Sequence, residues 1–145
     1  ELNILDGASG VTTTRTKNVS YSANNDIRSG AIAIPSNSLI TNIAVITTTQ
    51  LTHGQGNTSV KVGTAADGTQ IAAAVNFQTG TANTAAGRGC SVDAKMATAL
   101  QGAASLVMVA GQAYRTAATD LHITVKGHTD MSAGAVQFIV EYIRF

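Results

Sequence analysis

His122 and His128 stand six residues apart with Asp120 and Asp130 flanking them, the densest group of imidazoles and carboxylates in the sequence. Such side chains ligate zinc and similar cations. In an extended strand Asp120, His122 and Thr124 share one face, so weak metal coordination is the chemistry this group could perform. An outward polar face on an otherwise buried strand accounts for the same pattern more simply, and no metal site is assigned. His53 sits in HGQGN, a turn by composition, and reads as a solvent-exposed loop residue. The eight carboxylates, Glu1, Asp6, Asp26, Asp67, Asp93, Asp120, Asp130 and Glu141, are scattered singly, which does not favour paired-acid hydrolysis. Cys90 is the single cysteine; it excludes an intramolecular disulfide, and with no local nucleophile signature it reads as a small apolar filler or an exposed thiol. GASG at residues 7–10 and GRG at residues 87–89 lack the lysine and the strand-to-helix setting of a phosphate loop. Three tyrosines are few for a sugar-binding platform: core packing suits Tyr142, and Tyr114, beside Arg115, stays open. No catalytic residue and no cofactor are expected, and the chain reads as a non-enzyme.

Composition bounds the partners. Nine Lys plus Arg against eight Asp plus Glu leave a formal charge of +1, too weak a field to recruit nucleic acid. The 145 residues suit one domain with a core of useful size. That core is built from Ala, Val and Ile, with 3 Phe, 3 Tyr and no Trp, so few large side chains exist to wall a deep cofactor pocket. The longest apolar runs, such as Ile43 to Ile46, fall far short of the roughly 20 residues that cross a bilayer as a helix, and no membrane partner is expected. The sequence opens on Glu1 without a visible secretory signal, which points to a processed chain or the carboxy-terminal part of a longer one.

The elements that must position these residues are strands. Thr occurs 20 times, and its β-branch favours a pleated surface over a helix. About eight strands are expected, separated by Gly, Asn, Asp and Ser clusters. Tyr21 opens the first, Ile27 to Ile34 follows, and Pro35 stops it. Leu39 to Thr49 sets Ile43, Val45 and Thr47 on one face and Ala44, Ile46 and Thr48 on the other, with both faces partly covered. Val60 and Val62 alternate with polar residues, and Asp67-Gly68 marks a hairpin before Ile71 to Phe77. Residues 78–102 show no sustained period and read as a long loop with one helical turn near Ala94 to Leu100. Leu106 to Val109 is a further strand. Leu121, Ile123 and Val125 alternate with polar residues, and Val136, Phe138, Val140 and Tyr142 form the inward face of the last strand. The class is all-β, a jelly-roll-like antiparallel β-sandwich over residues 21–145, preceded by an extended amino-terminal arm over residues 1–20.

Two groups of segments carry a resemblance. ELNILDGASGVTTT, residues 1–14, resembles the ELN-x-LDG-V-T repeat of structural and fibre proteins of tailed bacteriophages. AIAIPSNSLITNIAVITT, SVKVGTAADGTQI and GAVQFIVEYI resemble the strand and turn pattern of small phage virion proteins built as jelly-roll modules. A single copy of the first motif fits a compact head protein better than a long fibre. The resemblance implies a capsid decoration, or cement, protein: a homotrimer on the outer surface of the virion that bridges major capsid protein subunits. The arm would make the capsid or subunit contact through Glu1, Leu2, Asn3, Ile4, Leu5, Asp6 and Val11. The alternative is a receptor-binding or tail-fibre head domain whose partner is a host surface glycan.

Overall fold

The computed structural model describes residues 10–21, 25–93, 96 and 100–145, and among these not the side chains of residues 25–28, 101–104 and 130. Ten strands make up most of it: β1 (Thr12–Tyr21), β2 (Asn25–Ile34), β3 (Ser38–Thr52), β4 (Gly56–Gly63), β5 (Ala72–Thr81), β6 (Arg88–Ser91), β7 (Gln101–Ser105), β8 (Tyr114–Arg115), β9 (Thr119–Met131) and β10 (Ala133–Arg144). No helix among the described residues is long and apolar enough to cross a membrane.

The strands form two sheets. One runs β1-β10-β3-β6-β7, with the two-residue β8 on β3, and the other runs β2-β9-β4-β5. Four antiparallel pairs, β1 with β10, β2 with β9, β3 with β6 and β4 with β5, are nested like the two arms of one long hairpin. The pairs β10–β3 and β9–β4 then join that ribbon into sheets. This winding is a jelly roll, as the sequence pattern anticipates. Among the described residues the parallel pair is β6–β7.

Alternation sets the core. Val136, Phe138, Val140 and Tyr142 of β10 face inward and are fully buried, as are Leu121, Ile123 and Val125 of β9, and Val60 and Val62 of β4. Gly30 of β2 lies under Phe138 of the opposite sheet; a Cβ there would meet the ring at 2.9 Å, so a glycine lets the sheets close. Ile43, Val45 and Thr47 also face inward. On the other side of β3, Asn42 and Ala44 are covered too, because Asn42 Oδ1 accepts hydrogen bonds from Ser91 Oγ at 2.9 Å and the Asp93 amide at 3.0 Å.

Several expectations change. The stretch from Thr12 to Ser20, read above as part of an arm, belongs to β1, and the whole of β1 pairs in register with β10 from Thr12–Ile143 to Tyr21–Gly134. Its Thr-rich sequence has few apolar groups because an edge strand covers the core with only some of its residues, chiefly Val19 and Tyr21. Tyr21 therefore closes a strand instead of opening one. Residues 78–102 are not a long loop: β5 extends to Thr81, β6 docks on β3, and β7 begins at Gln101. Short strands of four or five residues carry too few alternations to show a period. Gly89 replaces a hydrophobic signal there, since a Cβ would sit against the Val45 carbonyl oxygen. Of the helical turn read near Ala94 to Leu100, the described part is the Leu100 N–H donating to the Met96 carbonyl at 3.1 Å. Leu106 to Val109 follows β7 as a connection, with Met108 making one bridge to Ala72.

Candidate functional site

The histidine and aspartate group of β9 is spread out. Six strand residues span about 20 Å. His128 and Asp120 are exposed and His122 is half-buried, whereas Thr124 is buried and its hydroxyl accepts the Asp67 amide at 2.9 Å. The Asp130 side chain lies outside the described residues. Among the described residues no three His, Cys, Asp or Glu side chains gather as a metal site would require.

Cys90 lies in β6 opposite Val45 with no exposed surface. Burial pushes its thiol far above the ordinary range, so it stays protonated and packs as a small apolar group.

His53 is not a solvent-exposed loop residue; it is 6% exposed and stands at the centre of a polar network. Its Nδ1 lies 2.7 Å from the Gly54 carbonyl, which only accepts, so Nδ1 carries the proton. Nε2 lies 2.8 Å from Thr84 Oγ1 and 3.1 Å from Thr58 Oγ1, and the two hydroxyls are 2.7 Å apart. The His53 amide donates to Asn83 Oδ1 at 3.1 Å, Gln78 Nε2 donates to the Asn83 carbonyl at 3.0 Å and to Thr81 Oγ1, and Arg88 donates to Gln78 Oε1 at 2.6 Å. A hydroxyl beside an imidazole is also how nucleophiles are activated. Here Thr58 and Thr84 have no exposed surface, so the network fastens the end of β3 to β4 and to the turn after β5. Alternation at the end of β3 was the available signal: Leu51 and His53 face inward on either side of the exposed Thr52.

The opposite end of the sandwich is apolar. Among the described residues the large hydrophobic side chains left exposed are Val107, Val109, Tyr114 and Phe145, at 70, 41, 43 and 62%. The rings of Tyr114 and Phe145 meet with centroids 6.4 Å apart and planes at 60°. Beside them the Gly10 amide donates to the Arg144 carbonyl at 2.6 Å, and Val11 is half-buried. Glu1, Leu2, Asn3, Ile4, Leu5 and Asp6 lie outside the described residues. Tyr142 is fully buried, and its hydroxyl accepts from Arg15 Nε at 3.1 Å.

Concavities are shallow. An open cleft of about 350 Å³ runs between β1 and β2, lined by Thr14, Arg15, Thr16, Ala31, Ile32 and Ala33. It has no aromatic wall, and the one charged side chain on it is a cation, so it lacks the paired groups that acid–base work needs.

Neither a protein-family model nor a curated protein sequence matches the chain. Among solved structures it is similar to a chain of the Cyanophage Pam1 capsid asymmetric unit, with 14% identity and a TM-score of 0.55, over 96% of this chain and 89% of that one. A chain of infectious bursal disease virus, Gx strain, aligns at 11% identity and a TM-score of 0.36, over 94% of this chain and 33% of that one. The first likeness is one of fold, spanning nearly the whole of both chains. Nothing rests on the second.

Proposed function

We propose that this chain is a virion structural protein of a bacteriophage, a decoration or cement protein on the outer surface of the head. The observation that supports this most is the jelly roll itself, whose likeness to a chain of a cyanophage capsid extends over 96% of one chain and 89% of the other. The surface chemistry agrees with a binding role. The chain is close to neutral, the outward residues are largely Thr, Ala, Ser and Asn, and its described hydroxyl–imidazole pair is sealed from solvent. Small side chains lose little rotamer freedom when two flat surfaces meet. A lattice that repeats a weak contact many times holds it collectively.

In this reading the chain forms a homotrimer that bridges major capsid protein subunits, no bond is made or broken, and the arm contact is carried by Glu1, Leu2, Asn3, Ile4, Leu5, Asp6 and Val11. The test is a reconstructed density map of the particle whose genome encodes the chain, with heads purified with and without it. Density on the head lattice, and heads that rupture at lower temperature without the chain, are the expected results. Density confined to the tail would replace this reading with the receptor-binding one.

A further inference from the structure

We propose that Arg115, Ser38 and Arg144 form a binding site for a tetrahedral inorganic oxyanion, phosphate or sulfate, on the inner face of the larger sheet at its β8 end. Register places the three in one row: Ser38 of β3 pairs with Arg144 of β10 on one side and with Arg115 of β8 on the other. Alternation turns the row inward. Tyr142 and Ile40, two residues along from Arg144 and Ser38, are buried in the core, and Ser38 itself has no exposed surface. Both arginines are half-buried, so the row meets solvent where the strands end.

Two orphaned donors point to a ligand. The Ser38 hydroxyl and Arg115 Nε are buried, and neither has a hydrogen-bond partner among the described residues. These two residues are directly paired, with Cα atoms about 5 Å apart, so one acceptor between them can serve both. The charge is uncompensated as well. Arg115 Nη1 donates to the neutral amide oxygen of Gln112 at 3.3 Å, and the Arg144 side chain has no hydrogen bond or ion pair among the described residues. Glu141, the carboxylate of β10, stands on the outward face between the inward Val140 and Tyr142, with Asn42 as its partner. A buried cationic donor without an acceptor is costly. Water satisfies the hydrogen bonds but not the charge; an anion satisfies both. The class of anion follows from the directions of approach. The arginines stand on opposite sides of Ser38, their Cα atoms about 10 Å apart, with the hydroxyl between them. Donors that converge from three sides suit the four oxygens of phosphate or sulfate better than the planar pair of a carboxylate, and the guanidinium fork matches such oxygens. Bound there, the ion joins β10 and β3 to the two-residue β8.

Such a site is independent of any place in the virion. The experiment is calorimetric titration of the full chain with sodium phosphate, sulfate and acetate in Tris chloride at constant ionic strength, with thermal unfolding in the same solutions. Phosphate and sulfate should bind saturably, one ion per chain, and raise the unfolding midpoint, and acetate should bind at least about tenfold more weakly. Ser38→Ala removes an unpartnered hydroxyl, so in chloride alone it should unfold no earlier than the unaltered chain, yet it should bind phosphate at least about threefold more weakly. Arg115→Gln/Arg144→Gln should weaken binding at least about tenfold. Lys61→Gln, which removes a cation from the other sheet, should leave it unchanged. An unaltered chain without saturable binding, acetate that binds as tightly as phosphate, Ser38 and arginine variants that bind as well as the unaltered chain, or a loss in Lys61→Gln equal to that of the arginine pair overturns the proposal.

Discussion

The two ends of the sandwich are finished in opposite ways. At one, where β3 runs into β4 and β5 into β6, polar side chains are buried and satisfy one another: His53, Thr58, Gln78 and Thr84 are each at most 6% exposed. At the other, where β10 finishes beside β8, Tyr114 and Phe145 project into solvent while the polar backbone around them is paired. A buried polar group without a partner costs more than its hydrogen bond returns, so the first end is stable only as a complete set. Exposed apolar groups cost little in an isolated chain and yield free energy only when another surface covers them. The first end therefore serves the fold, and the second is free to serve contact.

Five measurements would sharpen or break that contrast. Phe138→Ala, midway between the ends and fully buried, sets the scale with an expected loss of about 3–5 kcal/mol in urea unfolding. Thr84→Val keeps the shape of the side chain but removes the hydroxyl shared by His53 and Thr58; it should lose about 1–3 kcal/mol. If it loses nothing, the polar end is not a set that needs every member.

Cys90, in the short strand that starts at this end, reports on the same contrast. Its thiol is held protonated in the fold and ionises in the unfolded chain above about pH 8.5, so the unfolded state then binds fewer protons. Stability should fall as pH rises beyond that value by up to about 1.4 kcal/mol per unit more than in Cys90→Val. Thiol labelling at constant pH should be slow and should accelerate in Thr84→Val but not in Tyr114→Ser. Tyr114→Ser itself should change stability by no more than about 0.5 kcal/mol, because its ring is 43% exposed and its aromatic neighbour, Phe145, is exposed as well. A loss comparable to that of Thr84→Val would mean the apolar end supports the fold after all.

Much of this was legible along the chain and some was not, for reasons that differ by residue. Val136 to Tyr142 and Leu121 to Val125 alternate over enough positions for each strand and its inward face to be read directly. β1 was legible as extended but not as a member of the sheet, since its partner, β10, lies more than a hundred residues away. Residues 88–91 hid a strand because Gly89 and Cys90 give no hydrophobic alternation, and the reason for the glycine is a backbone carbonyl of another strand.

The sequence by itself determined the class, because β-branched alternation and polar turns leave pleated sheet as the state that buries the apolar residues. It also determined which face of the long strands lies inward, since period two admits only one assignment with the valines and isoleucines covered. Only the tertiary structure decided which strands are neighbours, and with that the fate of single residues. A histidine in a turn became the centre of a buried network because Thr58 and Thr84 arrive from separate segments. Phe145 came to meet the ring of Tyr114 because β3 pairs with both β10 and β8. Pairings between distant segments depend on the chain closing in space, and no local pattern encodes them.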